Sequence, residues 1–225
     1  MTDIAVIGGA GFVGSRLKDR FHAGKLNYAI YDINLLNHEN DINYLDVEKV
    51  SSLEQLKNVD TIINLAAEHR DDVKPLSRYY DVNVQGAMNL CNAARKYGIK
   101  KIIFTSSVAI YGFAPANTDE TGEPKYFNDY GRTKYQAEQV FKKWQDESPD
   151  DRTLVIVRPT VIFGEGNRGN VYNLFSQIAS GRFLMIGGGK NMKSMAYVEN
   201  VVAFLEFSLS FKPGLHIYNL SLIHI

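Results

Sequence analysis

The chain has 225 residues, 45% of them hydrophobic, with 25 basic and 25 acidic side chains and a formal net charge of zero. That suffices for one cored domain plus a modest appendage, and the balanced charge gives no electrostatic case for a nucleic-acid partner. A single cysteine excludes a disulfide framework, the five histidines lack metal-ligand spacing, and no signal peptide or bilayer-length apolar run is visible, so a cytoplasmic protein with neither metal nor membrane partner is expected.

The first element is a short apolar strand ending at Ile7. It runs into Gly8-Gly9-Ala10-Gly11-Phe12-Val13-Gly14 and then into an amphipathic helix over 14–23. Glycines at 8, 11 and 14 let the backbone turn tightly, let a ligand approach, and let the helix pack near the strand. The helix N-terminus then offers unpaired N–H groups and a positive dipole end to a pyrophosphate. A glycine triplet alone is a weak signal; the strand–turn–helix order is the context that the dinucleotide motif requires.

The second strand ends at Asp32, 18 residues beyond Gly14. A carboxylate there accepts both hydroxyls of an adenosine ribose and repels a 2′-phosphate. No Arg or Lys follows in Ile33-Asn34-Leu35-Leu36, which favours NAD over NADP. After a short extended run, Asp46-Val47 stands where an adenine edge would lie. Helical patterns then cover 51–56, 79–97 and 130–147, and apolar strands cover 61–65, 101–106 and 154–158. This βαβα rhythm argues for a parallel sheet with helices on both faces and ligands beyond the C-terminal strand ends.

Two segments carry chemistry. In Tyr130-Gly131-Arg132-Thr133-Lys134 the phenol and the ammonium share one helix face. A nearby cation stabilises phenolate and lowers the tyrosine pKa, which suits Tyr130 to general acid–base work on an alcohol, with Lys134 also free to hold a cofactor ribose. Taken alone, such a pair is commonly a surface contact. The run Phe104-Thr105-Ser106-Ser107-Val108-Ala109-Ile110-Tyr111-Gly112 supplies hydroxyls just past a strand end, and Ser107 there can share a proton with Tyr130. Beyond Pro159 two glycine loops, 164–169 and 187–189, flank a helix at 171–180. A further helix follows at 198–208 and a last strand at 215–220. Residues 1–158 thus read as the cofactor domain, and 159–225 as a smaller substrate-covering lobe integrated with it.

Together these residues resemble the extended short-chain dehydrogenase/reductase superfamily and, within it, the NAD-dependent epimerase/dehydratase family acting on nucleotide sugars. The matching pieces stand in family order: the glycine turn, Asp32, Asp46-Val47, Asn64-Leu65-Ala66-Ala67, Asn83-Val84-Gln85-Gly86, Ser106-Ser107, Tyr111-Gly112, Tyr130 with Lys134, and Arg158-Pro159. The resemblance implies a Rossmann-type doubly wound parallel sheet that binds NAD. Gly8, Gly11, Phe12, Val13 and Gly14 would line the pyrophosphate, Asp32 the ribose, and Asp46 and Val47 the adenine. Leu65, Ala66, Ala67 and Asn83 would line the middle of the cofactor, with Ser106 and Pro159 also in the cofactor set. Ser107, Tyr130 and Lys134 would be catalytic. Asn170 and Lys193 would meet the diphosphate of a nucleotide-diphosphate sugar.

Val108-Ala109 replaces the acidic residues that dehydratases and decarboxylases carry after the catalytic hydroxyl, which discounts both chemistries. Val161 stands where hexose 4-epimerases usually have Asn, and Lys193 keeps a charge but lacks the fork of an arginine. The reading is therefore an epimerase working through a transient keto-sugar. A nucleotide-sugar 4-reductase or dehydrogenase is the alternative, then a steroid or polyketide alcohol oxidoreductase, and from another class a non-catalytic NAD(P)-binding sensor or scaffold. The final Ser221-Leu222-Ile223-His224-Ile225 reads as truncated or foreign. A homodimer through helices 79–97 and 130–147 is possible by analogy, with Leu90, Cys91 and Ala94 offering a face that equally suits core packing.

Overall fold

In a computed structural model of the chain, residues 3–35, 41–70, 72–115, 117–184, 188 and 193–221 are described. Gly187 and Gly189 of the second glycine loop, Leu36, and the chain end after Ser221 lie outside them. Seven parallel strands form the main sheet: β1 (Ile4–Ile7), β2 (Tyr28–Asp32), β3 (Ile42–Tyr44), β4 (Thr61–Asn64), β5 (Lys101–Thr105), β6 (Thr153–Pro159) and β9 (Gly214–Leu220). Their spatial order is β3-β2-β1-β4-β5-β6-β9. The order reverses between β1 and β4, and at such a switch point the strand ends open a crevice. Because helices cover both faces, the inner strands are apolar throughout: every residue of β1 and of β6 is buried.

Alternate side chains feed two cores. Ala5, Ile7, Phe104 and Ile156 face α3 (Gly86–Tyr97) and α4 (Asp129–Asp146), where Leu90, Phe141 and Trp144 pack. Val6, Ile103 and Val155 face α1 (Phe12–Ala23) and α6 (Val198–Phe207), meeting Leu17, Phe21, Val201 and Leu205. Leu90, Cys91 and Ala94 are spent in the first core. The α3 face they were to offer a second copy is therefore filled from within.

Several elements differ from the sequence pattern. The helical run at 51–56 is a series of 3-10 turns over Val50–Asn58. The helix at 79–97 begins earlier, as α2 (Ser77–Tyr80), and passes through a wide π turn (Asp81–Gln85) before α3. Beyond Pro159 the chain divides its duties. Strand β9 pairs with β6 along its whole length and α6 packs in the α1 core, so both extend the main body. The short parallel pair β7 (Val161–Phe163) and β8 (Met195–Tyr197), with α5 (Asn170–Ala179), makes up the rest.

Candidate active site

A cleft of about 220 Å³ crosses the C-terminal ends of β1, β2 and β4. Gly8, Gly11, Asp32, Asp46, Val47, Leu65, Ala66 and Ala67 all line it. Gly8 shows why the loops can close so tightly there. Its φ is +78°, and a Cβ would lie 2.5 Å from the Ala66 nitrogen. Asp32 joins two of these segments: Oδ2 accepts from Ala10 N–H at 3.0 Å and Oδ1 from Asn34 N–H at 2.9 Å. Its remaining lone pairs are available to ribose hydroxyls. Helix α1 opens at Phe12 and Val13, whose side chains pack into the α1/α6 core, and its cap, Gly11, provides no side-chain acceptor. The first N–H groups of the helix are left for an anion.

At the far end of the cleft, Asp46 accepts from Glu48 N–H at 3.0 Å through Oδ1, while Val47 is buried beneath. The sequence reading missed Arg78, which lines the same cleft with Ile33, His69 and Val82. Its Nη1 donates to both oxygens of Glu48, at 2.6 and 2.9 Å, across 30 residues of chain. Asn83, which the resemblance places at the middle of the cofactor, also ties two segments together. Its Nδ2 donates to Glu68 O at 3.1 Å and Thr133 Oγ1 at 3.0 Å, and its Oδ1 accepts from Glu68 N–H at 2.9 Å. Both donors are consumed in clamping the loop after β4 to α4. The π turn that presents Asn83 is a distortion often found at functional sites.

The catalytic candidates meet through two caps. Ser107 opens a 3-10 turn (Val108–Tyr111) and accepts from Ala109 N–H at 3.1 Å. Asn128 caps α4, accepting from Gly131 N–H at 2.8 Å. A Cβ on Gly131 would lie 2.5 Å from Ala109 O, so glycine lets the start of α4 rest directly on the Ser107 turn. That brings the Tyr130 phenol and the Ser107 hydroxyl together.

Burial pushes the Tyr130 phenol up, the Ser107 hydrogen bond pulls it down, and the charge of Tyr79 raises it further. Lys134, one turn along and 2% exposed, holds its Nζ 4.5 Å from the centre of the Phe104 ring. Burial lowers its ammonium to about 7 against the opposing pull of Glu138. Spacing alone suggested a cation that depresses the phenol. Desolvation raises the phenol, with Lys134 buried and Tyr130 half-buried beside it.

Where β5 and β6 end, the hydroxyls of Thr105, Ser106 and Thr160 are buried without a hydrogen-bond partner. Orphaned polar atoms at a strand edge, an uncapped helix start and a glycine cradle together fit a dinucleotide. Pro159 is the buried last residue of β6 and pairs with Leu220. Asn170, the first residue of α5, and Lys193, ahead of β8, are both exposed, and neither lines the cleft.

A model of the NAD dependent epimerase/dehydratase family matches residues 4–221. An N-acetyl-alpha-D-glucosaminyl-diphospho-ditrans,octacis-undecaprenol 4-epimerase of Escherichia coli O157:H7 is 48% identical over 227 residues, covering 96% of this chain and 66% of that protein. A UDP-glucose 4-epimerase of Vibrio cholerae is 31% identical over 219 residues, covering 88% and 64%. Among solved structures, the UDP-glucose 4-epimerase of Thermus thermophilus in complex with NAD superimposes with a TM-score of 0.84 at 23% identity, covering 98% of this chain and 76% of that one. The chain belongs to the NAD-dependent epimerase/dehydratase family. It spans about two thirds of the length of each of these two relatives. No helix among the described residues is long and apolar enough to cross a membrane.

Proposed function

We propose that this chain carries the NAD-binding and catalytic part of a 4-epimerase acting on a sugar held through a diphosphate. The observation that carries the reading is the meeting of the Tyr130 phenol with the Ser107 hydroxyl at the sheet edge, one helical turn from the buried Lys134. Tyr130 accepts the proton of the C4 hydroxyl as the carbon is oxidised, and Ser107 donates to the same oxygen. NAD, when bound, supplies the two-electron acceptor that takes hydride from the sugar carbon and returns it. The keto-sugar turns in the site before Tyr130 gives the proton back. Fixed geometry among base, hydroxyl and sugar carbon is the main catalytic contribution of the protein.

The backbone of Gly8, Gly11, Phe12, Val13 and Gly14 holds the pyrophosphate, Asp32 the ribose, and Asp46 and Val47 the adenine. Leu65, Ala66, Ala67 and Asn83 hold the middle, Ser106 and Pro159 the nicotinamide end, and Asn170 and Lys193 the substrate diphosphate. Residues up to 158 and those from 159 divide between cofactor and substrate. We place the activity in the cytoplasm, in keeping with one free, buried cysteine. A homodimer through α3 and α4 rests on their polar outer faces, because Leu90, Cys91 and Ala94 are internal; light scattering reads it.

The diphosphate is common to two carriers. The Escherichia coli relative favours a polyprenol and the Vibrio cholerae relative a nucleotide. The test offers the protein UDP-N-acetylglucosamine or polyprenyl-diphosphate N-acetylglucosamine with catalytic NAD. Inversion at C4 in one arm without net NADH change, lost in Tyr130→Phe, is the expected result. Stoichiometric NADH consumption, or normal turnover by Tyr130→Phe, overturns it.

A further inference from the structure

One buried guanidinium joins the two elements that carry the reacting hydroxyls. Arg158 stands near the end of β6, 3% exposed, facing Glu138, which is fully buried on α4 one turn beyond Lys134. Its Nε and Nη2 donate to Glu138 Oε1 and Oε2 at 2.9 and 2.7 Å, a two-pronged grip on the helix that bears Tyr130. Its Nη1 turns the other way and donates to Tyr111 Oη at 2.5 Å and to Glu120 O at 3.2 Å. Tyr111 ends the short turn that Ser107 begins. The Tyr111 O–H donates in turn to Asn219 Oδ1 on β9 at 3.0 Å, and Asn219 N–H donates to Glu120 Oε1 at 2.6 Å. From the guanidinium, one arm reaches the Tyr130 helix and the other the Ser107 turn.

A buried ion pair is poor evidence of a stabilising role, since well-packed apolar replacements are often as stable. What such a network does fix is relative placement. Ser107 and Tyr130 come together where the two arms meet, and how closely they do so depends on how far the turn sits from the helix.

We propose that Arg158 and Tyr111 are positioning residues that set the approach of Ser107 to Tyr130 by holding the Ser107 turn against α4. Neither touches the reacting atoms. The inference deepens the proposed function and rests on its reading of Ser107 and Tyr130. Its readout, the ionisation of Tyr130, needs no turnover, so the two stand or fall separately.

Tyr111→Phe keeps the ring in place and removes the oxygen that both accepts from Arg158 and donates to Asn219. With ring-labelled tyrosine, the Tyr130 resonance is assigned as the one missing in Tyr130→Phe and followed by NMR through its titration. Ser107 lowers the Tyr130 phenol, the charge of Tyr79 on α2 raises it, and Lys134 lies one turn along the same face of α4. In Tyr111→Phe the titration should therefore move to higher pH. Ser107→Ala should move it the same way, and the double variant should move it no further than Ser107→Ala alone.

With substrate, kcat should fall by about tenfold or more, KM should stay within about twofold, and the acidic limb of the rate profile should rise with the titration. An unshifted Tyr130 titration in Tyr111→Phe overturns the proposal, whatever happens to stability. So does a shift that adds in full to that of Ser107→Ala. Should Tyr111→Phe fail to fold, Asn219→Ala removes the Tyr111 acceptor while keeping its own backbone donation, and the same titration decides.

Discussion

Replacing Lys134 with methionine should make the cofactor-free protein more stable while abolishing turnover. Methionine keeps the unbranched stem in its buried channel and removes only the amine. Burial lowers the Lys134 ammonium from 10.5 to about 7. Below pH 7 the group is protonated both folded and unfolded, so the full cost of burying the charge, about 5 kcal/mol, weighs on the fold. The cation's contact with the Phe104 ring returns about 2 kcal/mol of that. A net gain of about 3 kcal/mol just below neutral pH raises the melting temperature by roughly 6–12 °C in a chain of this size.

The sign of the pH dependence is fixed by the lowered pKa. Between about 7 and about 10.5 the unfolded chain binds a proton at Lys134 that the folded one does not, so the wild type gains stability as pH rises through that window. The variant lacks this gain. Thermal or urea unfolding at about pH 6 and about pH 9.5 should therefore show a wide gap at the lower pH that narrows at the higher. A variant less stable than wild type at both, or a gap that does not change with pH, refutes the reasoning.

Gly8→Ala puts a methyl 2.5 Å from the Ala66 nitrogen at a φ of +78°, and should cost about 2–3 kcal/mol of stability and at least about tenfold in NAD affinity. Titration calorimetry with NAD checks it, and unchanged affinity would sink the cradle assignment. Cys91 is buried and its thiol pushed up to about 12, so the native protein should resist a disulfide reagent and react only as it unfolds. Rapid stoichiometric labelling of the folded protein at mild alkaline pH would contradict that burial.

Features written in consecutive residues were legible in the sequence. The glycine turn, the strand-end Asp32, the Ser107 run and the Tyr130/Lys134 spacing are each local, and each carries its own geometric consequence. The strand and helix alternation was legible for the same reason, since burial on both faces leaves continuous apolar runs in strands such as β6. What escaped is what the chain brings together from a distance. Arg158 meets Glu138 across 20 residues and Tyr111 across 47, and Asn83 meets Thr133 across 50. No periodicity records such pairings. Depth escaped too: an i,i+4 spacing says that Tyr130 and Lys134 share a face, but not that Lys134 is buried and Tyr130 half-buried, so that desolvation acts on the phenol as well. Three-residue strands such as β7 and β8 are too short for an alternating pattern to announce them.

Places where this chain breaks the ordinary rules of folding converge on one edge of the sheet. A residue at positive φ packs against backbone at Gly8, a lysine is buried at 134, and three hydroxyls go without partners at 105, 106 and 160. Each feature costs stability, and each adjoins the C-terminal ends of the parallel strands. Elsewhere α3 and β6 are filled with small and branched apolar residues and the buried Arg158 carries a full set of partners, although Gln136, Gln139 and Trp144 on α4 also hold buried polar atoms without one. Selection for stability alone would remove such costs wherever nothing opposes it. Their clustering is therefore an argument for a ligand at this edge that draws on neither the motifs nor the relatives. It falls on the same cradle, the same lysine and the same strand-end hydroxyls that the family assignment selects.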